Sequence, residues 1–197
     1  LISFFSILID YFLFINTDTP PGWDQGYHIT NVFKISNILN FSELNFFQKI
    51  DEILNVSETY RGPLTYLISA LTLNLFKFNS YIFLYLSNHI YNTFCIILVY
   101  KIGKIIRDSN TGLIASIIYT LSPIIINQRN DFLIDLSLTS FYTLSILSLT
   151  KWHFDKDKNI SIYSIISGLS VGFLFLIRPT SLILLILPIT IIFYQKF

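Results

Sequence analysis

Six charged residues stand where chemistry could be done: Asp24, Arg61, Arg129, Asp131, Asp135 and Arg178. Asp24 lies in PPGWDQGYHITNVF, residues 20–33, where the first apolar run gives way to polar sequence. A carboxylate there can act as a general base toward a hydroxyl or an amine, if it reaches the proton to be removed. It can equally be an N-cap that accepts backbone N–H bonds at the start of the next helix. Position alone leaves both open. NQRNDFLID, residues 127–135, holds the second group. Asp131 and Asp135 are four apart at the start of a predicted helix, so they share one face and favour the helix dipole. Capping accounts for Asp131 but not for Asp135, one turn further in, which points to function. Arg129 either pairs with these acids or holds a phosphate through its planar fork. Arg61, before Gly62–Pro63, and Arg178, before Pro179, either snorkel to an interface or join Arg129 around an anion. Several arginines facing one cavity suit a lipid phosphate better than a neutral ligand.

The remaining polar candidates are lone residues. His28 and His89 read as satisfied polar contacts, although His28 is close enough to Asp24 to assist it. His153 reads as a solvated loop residue and Cys95 as a buried small hydrophobe. Asp10 is the least explained charge. It sits inside the first apolar run, where it either reaches the interface or pairs with a helix outside this sequence.

The elements that must position these residues are membrane helices. Of 197 residues, 53% are hydrophobic and 13% charged, against about 25% charged in a soluble domain. A net charge of +1, with no basic stretch interleaved with aromatics, excludes nucleic acid as a partner. A single cysteine excludes an internal disulfide, and no Cys/His spacing suits a metal. The predicted spans are residues 1–15, 81–101, 113–126, 132–150, 162–177 and 182–194. Several fall short of the roughly 20 residues that a crossing helix needs, so tilt or bilayer thinning must absorb the difference. The chain starts and stops in apolar runs and contains no methionine, so it reads as the N-terminal part of a longer polytopic protein. A signal peptide is not favoured, because no basic n-region or small-residue cleavage site flanks the first run.

Charge assigns the sides. KIGKIIRDSN and KWHFDKDKN are short basic loops and are predicted to be cytoplasmic. The acidic loop after the first run then faces outside. Residues 63–76, about 14 residues or roughly 21 Å as a helix, cannot cross without breaking this pattern, and are predicted to lie at the outer surface. Asp24, Arg61, Arg129, Asp131, Asp135 and Arg178 then share one membrane face. Within the outer loop, residues 16–80, HITNVFKISNILNF and ELNFFQKIDEIL carry apolar residues at helical spacing. Both are predicted to be amphipathic helices on the membrane surface. The expected fold class is an all-α, polytopic transmembrane helical bundle with amphipathic juxtamembrane helices in its first outer loop.

The order of these pieces resembles a known family. GWDQGYH after the first span, amphipathic helices, YRGPLTYLISALTLNLF, VYKIGKIIRDSNTGLIASIIYTLSPIIINQRNDFLIDLSLTSF and GLSVGFLFLIRPTSLILLILP resemble the GT-C membrane glycosyltransferases. The nearest branch holds dolichyl-phosphate-mannose–protein mannosyltransferases and bacterial lipid A aminoarabinose transferases. The resemblance implies sugar transfer from a polyprenyl-phosphate sugar donor to a lipid, glycan or protein acceptor. The face would be the outer one of a plasma or inner membrane, or the lumenal one of an endoplasmic reticulum membrane. It implies Asp24 as the general base, with Arg61, Arg129 and Arg178 for the donor phosphate and Asp135 to orient an arginine or bind the sugar. Gln25 stands where the family has a second acid, which leaves it at most an assisting role beside His28. Tyr60 replaces an acid that is sometimes a metal ligand, so no metal and no other cofactor is predicted.

The competing readings are a fragment of a membrane transporter, which would favour ionisable residues at mid-membrane depth, and a structural subunit. Most charges here cluster at one face, which favours an interfacial enzyme; Asp10 alone fits the transporter better. In the full-length protein with Cys95 replaced, single cysteines at positions 24 and 135 should react with a membrane-impermeant thiol reagent from the same, outer side. Labelling from opposite sides would defeat a single site.

Overall fold

The computed structural model describes residues 1–14, 22–56, 61–76, 82–154, 162–186 and 189–190. Its elements are α1 (Ile2–Phe14), α2 (Trp23–Asn40), α3 (Phe46–Val56), α4 (Leu64–Phe76), α5 (Ile82–Ile106), α6 (Ser109–Leu121), α7 (Pro123–Asn130), α8 (Asp135–Phe154), α9 (Ile162–Ile177) and a 3-10 helix, Pro179–Leu185. Among the described residues there is no strand, and the fold class is an all-α bundle. By length and composition, Leu86–Ile106 can cross a membrane alone and α6 with α7 can do so as one bent span, while Ile2–Phe12, Leu64–Phe76 and Ile162–Ile177 are shorter apolar helices.

Two expectations are corrected. The predicted span 113–126 is broken at Ser122–Pro123, where α6 and α7 meet at 58°. Pro123 has no N–H to continue the ladder, and its ring pushes Ser122 out of the helical region, to φ −61° and ψ 127°. Asp131 and Asp135 also do not share a helix face. Asp131 is the C-cap of α7 and Asp135 opens α8, with a non-helical link between them. Beyond the 3-10 helix, most of the predicted span 182–194 lies outside the described residues.

Side-chain pairs give the direction of each helix. Ser3 meets Thr93, Asn92 donates to Ser6, and Asp10 lies by His89, so α1 runs antiparallel to α5. The Asn88 amide reaches the link after α7, so the beginning of α5 and the end of α7 lie together. From there α5 runs away and α6 returns; α8 runs away and α9 returns. The α5–α6 return is close. A Cβ on Gly103 would lie 2.7 Å from the Gly112 Cα, and one on Gly112 would lie 2.4 Å from the Tyr100 carbonyl oxygen, so both positions need glycine. The α2 and α4 helices run parallel, through His28–Tyr66 and Ser36–Asn74 hydrogen bonds. They enclose an apolar core of Ile29, Val32, Ile35, Tyr66, Ala70 and Leu73, with Ile53 of α3, Phe132, Ile134 and Ile177.

Beside this apolar core, the bundle buries many small polar residues and turns large apolar ones outward. Ser87, Asn88, Asn92, Ser116, Ser137, Ser140, Ser145, Ser148 and Ser170 are buried between helices. Phe4, Phe5, Phe12, Ile97, Ile114, Ile118, Leu169 and Phe175 face outward. Small polar residues at helix contacts and large apolar ones outside are the arrangement that lipid favours, and water penalises so wide an apolar surface.

One charged pair lies inside. Arg129 is 0% exposed and Asp10 4%. Arg129 Nε donates to Asp10 Oδ2 at 2.6 Å, Nη2 to Oδ1 at 2.8 Å, and Nη1 to the Thr120 carbonyl at 2.9 Å. Asp10 therefore pairs within this chain, neither at an interface nor with a helix beyond it. Removing either partner leaves a buried charge uncompensated, at a cost of about 3–5 kcal/mol. Asp10→Ala and Arg129→Met should each lower the unfolding temperature of the detergent-solubilised protein sharply, and Asp10→Leu/Arg129→Met should recover much of the loss. A double variant as unstable as the sum of the single ones would contradict this account.

Candidate functional site

The site is built where four chain segments meet at one end of the bundle: the first turn of α2, the residues before α4, the link 131–134 and the end of α9. Gly62 makes the closest junction. Its N–H donates to the Ile177 carbonyl at 2.8 Å, and a Cβ there would lie 1.9 Å from the Leu176 carbonyl oxygen. Only glycine permits this approach. The contact carries Arg61 to the end of α9, where Arg178 is the next residue after the bonded carbonyl. Arg178 is exposed and leads into the 3-10 helix through Pro179.

Arg61 faces α2. Its Nη2 lies 3.6 Å from Asp24 Oδ1, and its guanidinium stacks over the Tyr27 ring at 5.0 Å from the centroid. The cap position of α2 belongs to Gly22, so Asp24 sits inside the first turn rather than capping it. Its side chain is 66% exposed. The dipole of α2 favours an acid there, and the exposure leaves the carboxylate open to a second molecule. Gln25, the next residue, donates from Nε2 to Asp131 Oδ1 at 2.7 Å. Asp131 is thus the acceptor of an inter-element bond, not the cap of α8.

Asp135 is half-buried in the first turn of α8, one turn before Thr139, whose hydroxyl donates to the Asp135 carbonyl. The neighbouring Ser137 hydroxyl meets Thr65 of α4 at 2.6 Å, which ties the start of α8 to the start of α4. Arg129 belongs to the interior: three of its donors engage Asp10 and Thr120, beneath the site rather than in its opening. Among the described residues no group of three or more His, Cys, Asp and Glu side chains lies together as a metal site. Tyr60 and the side chain of His153 lie outside the described residues.

Two residues that matter here carried no sequence signal of their own. Tyr66 is fully buried and its hydroxyl meets His28 Nδ1 at 2.7 Å. Asn88 closes the C-terminal end of α7, its Nδ2 lying 3.4, 3.3 and 3.0 Å from the carbonyls of Gln128, Arg129 and Asp131. An amide in an apolar run was the only available hint, since such groups at membrane depth need a partner.

His28 is neutral. Burial first, then the Arg61 charge, pushes it down to about 4, while Asp24 pulls the other way. Its folded value lies below its unfolded value, so the stability it supports is complete above about pH 6.5 and is lost as the pH falls toward 4. Thermal unfolding followed across that window should show this loss, and His28→Gln should remove that component. An unchanged slope in the variant would contradict the assignment.

A family model described as dolichyl-phosphate-mannose-protein mannosyltransferase matches residues 60–195. The match covers more than half of the chain. It includes Arg61, Arg129, Asp135 and Arg178 and begins after Asp24 and Gln25, so the α2 residues stand on geometry alone. No curated protein and no solved structure matches. With its all-helical fold, its lipid-suited surface and this match, the chain belongs to the dolichyl-phosphate-mannose-protein mannosyltransferase family of membrane glycosyltransferases.

Proposed function

We propose that the protein moves a sugar from a polyprenyl-phosphate donor to an acceptor at the outer face of the membrane, with Asp24 as general base. The observation that carries this reading is the exposed Asp24 carboxylate 3.6 Å from Arg61, beside the end of α9 that bears Arg178. A base for group transfer needs access to the acceptor and a cation close by for the leaving group. In this scheme the donor phosphate meets Arg61 and Arg178. It competes with Asp24 for the Arg61 guanidinium and so releases the carboxylate. Asp24 takes the proton of an acceptor hydroxyl or amine. The acceptor oxygen or nitrogen bonds to the anomeric carbon, that carbon's bond to the phosphate oxygen breaks, and the sugar is transferred with inversion. The electron pair leaves on the polyprenyl phosphate, whose charge the two arginines neutralise. Asp135 binds the sugar from the α8 side. Arg129 acts from below by holding the link 131–134.

The protein crosses the membrane several times in this reading. The α3 helix lies along the membrane surface beside the lipid entrance with Phe46, Phe47, Ile50 and Leu54 turned outward to lipid, while α2 packs its apolar face on α4. Asp10, the charge that fits the transporter reading best, is paired with Arg129 in the interior. Turnover of a polyprenyl-phosphate sugar by the full-length protein tests the proposal. Asp24→Asn should reduce kcat by roughly 10²- to 10⁴-fold, the usual contribution of a general base, with donor binding largely retained. Turnover unaffected by Asp24→Asn would end the proposal.

A further inference from the structure

We infer that Asp131 is a positioning residue: through its hydrogen bond to Gln25 it fixes the first turn of α2, and so the direction in which Asp24 points. The inference rests on the reading of Asp24 as the base. Asp24 and Gln25 are adjacent, about 100° apart around the helix. Arg61 holds the first and Asp131 the second, from elements far apart in the chain. The rotation of α2 along its length is set by its apolar packing on α4 and by the His28–Tyr66 bond; at its first turn, Arg61 and Asp131 are the contacts that hold Asp24 and Gln25. When a donor phosphate engages Arg61, the Gln25–Asp131 bond still holds the first turn.

The acceptor side of this bond is held firmly. The Asp131 N–H donates to the Asn127 carbonyl at 2.9 Å. Its carbonyl accepts from Asn88 Nδ2 at 3.0 Å and from the Leu133 N–H at 2.9 Å. Two residues earlier, Arg129 is anchored on Asp10. A charge-assisted bond from such a support orients its donor well. The same contact explains why a glutamine follows Asp24. A glutamate at position 25 would bring two carboxylates within hydrogen-bond distance, and like charges so close disfavour each other. Gln25 supplies the donor that Asp131 needs.

The test uses the full-length protein and a polyprenyl-phosphate sugar. Gln25→Glu and Asp131→Ala should each lower kcat, by up to roughly 10²-fold for a displacement of about 1 Å, with less change in the donor KM. Gln25→Glu/Asp131→Asn reverses donor and acceptor and should restore most of kcat. If Gln25→Glu does not accumulate as folded protein, Gln25→Ala, Asp131→Ala and their double variant read the same contact. The double variant should then be no worse than either single one. Single variants with unchanged kcat, or a reversed pair as impaired as Gln25→Glu, would overturn the inference. Asp24→Asn measured alongside separates the two claims. If it is inactive while the pair is indifferent, only the positioning role falls. If it is active, the base assignment falls and takes the positioning role with it.

Discussion

One buried ion pair sets the register in which α1 meets α7 and the end of α6. Asp10 and Arg129 belong to helices far apart in the chain, and neither charge is tolerable alone in the interior. Their two parallel hydrogen bonds bring α1 against α7 in one register. The third donor of Arg129 reaches the Thr120 carbonyl, which lies where α6 gives way to α7. Pro123 leaves the last turn of α6 with carbonyls that no intrahelical amide can satisfy, so the arginine supplies what the break removed. A kink that would be a defect in an apolar span thereby becomes an anchor. The link 131–134 emerges directly from it.

Everything at the candidate site leans on that link or on the end of α9. Phe132 and Ile134 insert into the apolar core beneath α2 and α4, while Asp131 turns the other way and meets Gln25. Gly62 packs backbone to backbone against α9 and delivers Arg61 opposite Asp24. The exposed charges are therefore mounted on segments fixed by apolar packing and backbone contact, with few long side chains between scaffold and site. Side chains mounted on rigid elements in this way keep their geometry. The outward apolar side chains suit the rest of the bundle to a lipid surrounding.

Much of this was legible in the residues. The low charge and long apolar runs implied a helical membrane protein, and the α9 boundaries coincide with the predicted run 162–177. The helical spacing of apolar residues in the first loop corresponds to α2, which buries Ile29, Val32 and Ile35, and to α3, which buries Ile53 and leaves Phe46, Phe47, Ile50 and Leu54 exposed. The residue order also carried the resemblance to the family to which the chain belongs. Less legible were the ends of elements near proline and the partners of isolated charges. The span 113–126 read as continuous because hydropathy ignores a missing N–H. Asp131 and Asp135 read as sharing a face because four-residue spacing presumes an unbroken helix.

The sequence by itself determined the class of protein, the helices with strong apolar patterns and the set of charged residues that needed explaining. These follow from local physics: hydropathy, periodicity, and the cost of a charge in lipid. Only the tertiary structure decided which charge meets which. It put Arg129 on Asp10 in the interior, Arg61 on Asp24 at the opening and Gln25 on Asp131 between them. Each of these pairs joins residues distant in the chain, and no local preference encodes such a distance. The buried Arg129–Asp10 pair is selected by the cost of an unpaired interior charge, and the other two by where the packed backbone delivers their residues.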